Sequence, residues 1–153
     1  MKKFLSLLVL LVVFTSCEED VKFNTPAVQG LKNNELWKAT KFTATKGADE
    51  SFTVVADNGF ETVVLKTSST LAGAYELGEG EDNKASYTLS ADGVEEDYQT
   101  GTSGSGRIVI SDDIRDTNLA KGYISGTFYF NAVNAAGDIV YFQEGHFYKL
   151  QLK

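Results

Sequence analysis

From Ala27 onward no stretch of the chain keeps an apolar stripe of helical period over three turns. Short alternating or β-branched runs recur instead, each closed by turn residues. Ser51–Ala56 (SFTVVA) and Phe60–Thr67 (FETVVLKT) flank Asp57-Asn58-Gly59, where Asn-Gly suits a type I′ hairpin turn. Ala85–Ser90 and Val94–Thr100 flank Asp92-Gly93, a second hairpin, and Asn33-Asn34 turns the chain after a short strand over Ala27–Leu31. Leu36–Thr45 reads as one strand, Ala74–Leu77 and Arg107–Ser111 as short ones, and Asp112–Lys121 as a polar segment with one helical turn. Tyr123–Val133 puts Phe128, Phe130 and Ala132 on one face and Thr127, Tyr129 and Asn131 on the other. Ile139–Gln143 returns, and His146–Leu152 closes the chain with His146, Tyr148, Leu150 and Leu152 on one face. About nine or ten short strands at this spacing predict a single all-β domain over 27–153, an antiparallel β-sandwich or barrel. Parallel pairing would need helical crossovers, for which the chain has no room.

Composition removes whole classes of function. The net charge is −7, the wrong sign for a general nucleic-acid binder, whose face must be basic. One Cys excludes an intrachain disulfide and multi-Cys metal sites, and one His leaves little for a histidine metal centre.

The first sixteen residues read as an address. Lys2 and Lys3 precede the apolar run Phe4–Phe14. As a helix that run would reach about 16 Å, against a hydrocarbon core of about 30 Å, so it is too short to span and fits a secretory signal peptide. It ends in Thr15-Ser16-Cys17, and small residues before a Cys resemble the lipobox of bacterial lipoproteins. That resemblance implies cleavage before Cys17 and lipidation of its thiol; the competing reading is an ordinary signal peptide with an incidental Cys. Two or more acyl chains anchor firmly where one is marginal. Residues 17–26 then form a lipidated Cys and acidic tether. Glu18-Glu19-Asp20 is either solvated linker or, by resemblance to Bacteroidota lipoproteins, a signal for export to the outer face of the outer membrane.

Two regions carry a family resemblance. Val28-Gln29-Gly30 with Asn33-Asn34-Glu35-Leu36-Trp37-Lys38-Ala39 lies near the start. Gly106–Ile110, Ile124-Ser125-Gly126-Thr127-Phe128-Tyr129-Phe130-Asn131-Ala132 and Gly145-His146-Phe147 lie near the end. Together they resemble a family of uncharacterised Bacteroidota lipoproteins with one all-β domain of unknown function. The resemblance implies lipidation and the all-β fold and brings no ligand or catalytic residue.

The residues themselves offer few sites. His146 reads as a structural residue at the core margin, since a catalytic base needs a positioned partner. Trp37 reads as core ahead of a sugar-stacking platform. Asp112, Asp113, Asp116 and Asn118, and the stretch Glu79–Asn83, are oxygen-rich but lack EF-hand spacing, and read as solvated loops ahead of calcium sites. Arg107 and Arg115 are expected to pair with nearby acids. No catalytic, cofactor or metal residue is assigned, and Cys17 is the one modification site. The expected function is a non-enzymatic, lipid-anchored envelope domain that binds or scaffolds an envelope protein or a glycan, with the membrane engaged through Cys17. The alternative is a glycosidase-like hydrolase using carboxylates alone.

Overall fold

The computed structural model describes residues 27–153; the expected signal peptide over 1–16, Cys17 and the expected acidic tether over 17–26 lie outside the described residues. Eleven strands form one sheet: β1 (Val28–Lys32), β2 (Glu35–Lys38), β3 (Lys41–Lys46), β4 (Phe52–Asp57), β5 (Glu61–Thr67), β6 (Gly73–Leu77), β7 (Lys84–Ala91), β8 (Val94–Gln99), β9 (Ser105–Ile110), β10 (Tyr123–Val133) and β11 (Ile139–Gln151). There is no α-helix among the described residues, only a 3-10 turn at Leu119–Lys121, capped by the Asn118 side chain.

The strand order is β2-β1-β11-β10-β8-β7-β5-β4-β3, with β9 on the β10 edge and β6 on β9. The strand pairings are antiparallel, as the short connections demand. The sheet curls into a half-barrel. At one rim the β3 edge meets the chain just after β11: Ala44 forms a parallel bridge to Leu152, and the Lys153 N–H donates to the Ala44 carbonyl at 3.0 Å. The all-β, single-domain expectation holds. Leu36–Thr45 is two strands, because the chain turns a corner at Ala39-Thr40 and passes from one end of the strand order to the other.

Alternation fills the inside of the curl. Phe52, Val54 and Ala56 from β4, Val63 and Leu65 from β5, and Phe128, Phe130 and Ala132 from β10 are all buried. Phe142 is the hub: its ring stacks on Phe130 at 4.8 Å, meets Tyr87 at 5.6 Å and Trp37 edge-on at 5.7 Å. Phe52 reaches across to Phe147 at 5.6 Å. Burying each such side chain contributes about 1.5–3 kcal/mol.

Two further expectations from the sequence are corrected. Asn58-Gly59 is not a type I′ turn, because only Gly59 has positive φ (102°). The Asn58 side chain instead accepts from the Phe60 and Glu61 N–H groups, which widens the loop. The two-residue turns with positive φ at both positions are Asn33-Asn34 (49°, 68°) and Asp92-Gly93 (54°, 81°).

The second correction concerns His146. Glu144 (φ 49°) and Lys149 (φ 46°) sit where the β11 register slips by one residue, so each is a β-bulge. Each slip resets the alternation. Val140 and Phe142 point inward, then Gly145 and Phe147, then Leu150. His146 and Tyr148 are half-buried and out of phase with the buried Phe147, and they do not share a continuous face with Leu150.

Between the bulges, β10 and β11 meet in a reciprocal pattern: Gly126 pairs with Phe147 and Phe128 with Gly145. A Cβ on Gly145 would stand 2.5–2.6 Å from three Phe128 ring atoms. One on Gly126 would stand 2.1 Å from the Val109 carbonyl oxygen and 2.5 Å from Phe147 Cζ. Gly145→Ala and Gly126→Ala should therefore each cost about 1–3 kcal/mol by overpacking, a drop of roughly 3–15 °C in melting temperature. Gly101→Ala, with nothing within 4 Å of the added carbon, is the neutral control. Thermal melts of the three variants check this; equal melting temperatures would contradict the packing account.

Candidate functional site

The antiparallel registers bring several turns to one rim. Lys32 ends β1 opposite Phe142, Asn33-Asn34 follows, and β10 passes to β11 through 134–138 on the same side. Glu61 opens β5 opposite Leu89, which places the Asn58–Phe60 and Asp92-Gly93 turns there as well. Val28, where β1 begins, lies at the opposite end of that strand.

A polar network is set into this rim. The Lys32 ammonium forms an ion pair with Glu61 Oε1 and donates to Tyr87 Oη at 3.2 Å. Tyr87 Oη donates in turn to Glu61 Oε1 at 2.7 Å, and Asn58 Nδ2 donates to Glu61 Oε2 at 2.7 Å. The Lys32 and Glu61 side chains keep only 24% and 13% of their exposure. Lys32 also lies 5.3 Å from the Tyr87 ring centroid, a cation–π distance. Burial pushes the Glu61 carboxyl up, but the hydrogen bonds from Lys32, Tyr87 and Asn58 together outweigh it and hold the group below its ordinary value. Burial, followed by the hydrogen bond to the Glu61 carboxylate, raises the Tyr87 phenol well above the usual range. Beside it, Tyr98 donates to Glu96 Oε2 at 2.8 Å, and that bond is the main reason its phenol is raised.

Lys32 stands between two hollows. One, of about 470 Å³, is bordered by β2 from Glu35 to Lys38 and, across from it, by Asn58 and Glu61. The other, of about 210 Å³, is bordered by Tyr87, Leu89, Glu96, Tyr98 and Ile139. Trp37 lines the larger hollow yet is only 3% exposed, and its indole N–H has no acceptor among the described residues. It is a core residue at the floor of a groove, not a stacking platform.

The other sequence candidates lie elsewhere. His146 Nε2 is 2.7 Å from Gln29 Nε2 and its Nδ1 is 3.2 Å from the Glu144 carbonyl. A neutral ring with its proton on Nδ1 satisfies both contacts: Nδ1–H donates to the carbonyl and Nε2 accepts from the amide. Arg107 pairs with Glu76 at 2.6 Å and Arg115 with Asp113 at 2.6 Å, as expected. Asn118 is spent on capping the 3-10 turn. Within Glu79–Asn83, Asn83 is 7% exposed and ties the Ser68 N–H to the Glu76 carbonyl, a structural role. The network itself went unseen in the sequence, since Lys32, Glu61 and Tyr87 are brought together only by the fold.

Lys32, Glu61, Tyr87 and Asn58 hold one another as a fixed set of charged and hydrogen-bonding groups beside the larger hollow.

The fold and rim define an all-β half-barrel domain with a polar groove at one mouth. The chain belongs to the family described as a domain of unknown function, DUF6252, whose profile matches residues 24–151. No curated protein and no solved structure matches it.

Glu61→Gln leaves the Lys32 ammonium half-buried without its counter-charge and should destabilise the domain by roughly 1–3 kcal/mol at pH 7. The folded-state pKa of Glu61 lies below its ordinary value, so this contribution is present above that ordinary value and is lost as pH falls through the folded one. The gap between wild type and Glu61→Gln in urea melts should narrow as pH falls below the ordinary carboxylate range. A gap that stays constant with pH would place the stabilisation elsewhere.

Proposed function

We propose that this chain is a lipid-anchored lipoprotein of the cell envelope, held at the outer membrane through Cys17, whose β-domain binds or scaffolds a partner and catalyses no reaction. The observation that carries the binding reading is the rim farthest from Val28. Leu36 (63% exposed), Phe60 (67%), Val94 (54%) and Ile139 (46%) stand out on the rim that carries the groove and its Lys32–Glu61 ion pair. Exposed apolar side chains concentrated on one rim are the kind of surface that partners cover.

The anchor supplies the orientation. Between Cys17 and Ala27 an extended chain reaches at most about 35 Å. The domain would therefore stay near the bilayer, with the end carrying Val28 toward it and the groove-bearing rim away from it. Glu18-Glu19-Asp20 next to the anchor supports display on the outer face. The net charge of −7 gives no support to a nucleic-acid partner.

Growing expressing cells with an alkyne fatty acid should label the wild type and leave Cys17→Ala unlabelled. Equal labelling of both would end the anchor reading. Protease shaving of intact cells should remove the domain, and replacing Glu18, Glu19 and Asp20 with Ala should protect it. A wild type that survives shaving while lysed controls are digested would put it on the inner leaflet.

A further inference from the structure

We infer that the groove beside Lys32 is a binding site for a neutral carbohydrate. The inference rests on the binding reading above and names its ligand class.

Charge is the first argument. Lys32 and Glu61 neutralise each other within the wall, and Glu35 and Lys38 add one charge of each sign on the facing strand. The charges lining the larger hollow therefore balance, and its wall offers no excess local charge to an anion or a cation. It nevertheless presents donors and acceptors together, which is what a ligand bearing many hydroxyls requires, since each hydroxyl both donates and accepts.

Unused hydrogen-bonding capacity is the second argument. The Lys32 ammonium has three protons, of which Glu61 and Tyr87 take two. Asn58 Nδ2 has two protons, of which Glu61 takes one. These donors are fixed by the network, so a ligand hydroxyl meets them without the cost of ordering flexible side chains. The Trp37 N–H, buried and unpaired along the same groove, favours any small adjustment that brings an oxygen to it.

Shape is the third. The larger hollow, about 470 Å³, lies within the range of small-ligand sites, and the mouth of a curled sheet is a common place for one.

The test uses the full-length chain and its single tryptophan, Trp37, as the reporter. Its fluorescence is titrated with maltohexaose, cellohexaose, xylohexaose and mannohexaose, with an anionic hexagalacturonate alongside. At least one neutral sugar should give a saturable change at or below about 1 mM. Lys38→Ala and Glu35→Gln, both at exposed positions, should keep the wild-type melting temperature and weaken that sugar about fivefold or more. No saturable change with any neutral sugar up to about 10 mM would overturn the inference. So would a response to hexagalacturonate alone, or an affinity unmoved by both substitutions. Anchoring is read separately from Cys17 labelling, so a failed titration leaves that reading intact and a failed labelling leaves the groove intact.

Discussion

Two phenylalanine rings lie against two glycines on the opposing strand, and the geometry of the half-barrel depends on that fit. Phe128 covers Gly145 and Phe147 covers Gly126, so each strand supplies both a ring and the space for a ring. Glycine within a strand is ordinarily a weakness, because it adds backbone entropy and offers no side chain to pack. An aromatic ring laid across it recovers the lost burial and lets the neighbouring backbone approach closely. In this pair the approach extends to a third strand, since the Val109 carbonyl of β9 stands 2.1 Å from where a Gly126 Cβ would be. The two bulges of β11, at Glu144 and Lys149, bracket this tight section. Bulges add local twist. Twist on both sides of the closest contact lets a thirteen-residue strand follow the curl and keep Val140, Phe142, Phe147 and Leu150 all facing inward.

The Lys32–Glu61 pair is a different kind of feature. Removing two charges from water costs several kcal/mol each, and the attraction between them does little more than offset that loss. Packing alone would have been served as well by two apolar side chains. What the pair provides is direction. Glu61 accepts from three neighbours, and those bonds fix Asn58, Tyr87 and Lys32 relative to one another across β1, the β4–β5 loop and β7. The rim beside the groove is thereby held by polar contacts, whereas the interior below it is held by rings. The first kind suits recognition and the second stability, and Phe142, touching both Tyr87 and Trp37, joins them.

Which parts of this were legible in the sequence follows from the range of the forces involved. The inward face of β10 was readable because the burial of Phe128, Phe130 and Ala132 keeps a strict period of two. The phase of β11 was not, because its bulges fall on Glu144 and Lys149, residue types that carry no signal for positive φ. Asn33-Asn34 and Asp92-Gly93 behave as their turn chemistry dictates, while at Asn58-Gly59 the Asn58 side chain overrode the local preference by capping two N–H groups. The rim network was invisible for another reason. Lys32 lies 29 residues from Glu61 and 55 from Tyr87, and no local pattern marks a contact of that span. In retrospect the signal was positional: Lys32 directly precedes one turn, and Glu61 ends another.

The same topology decides what an anchor at Cys17 would do to the site. Because β1 is the first strand and runs from Val28 to Lys32, the end of the domain nearest the tether and the end carrying the groove are opposite ends of a single strand. No loop has to be long or mobile to separate them, and the length of β1 fixes the separation. β1 also pairs along one edge with β11, the strand that carries Phe142 and Phe147. A groove placed at the near end would lose approach to the bilayer surface, and one on a peripheral hairpin such as β6–β9 would lose the rigid backing. With an anchor at Cys17, the far end of β1 would avoid both costs.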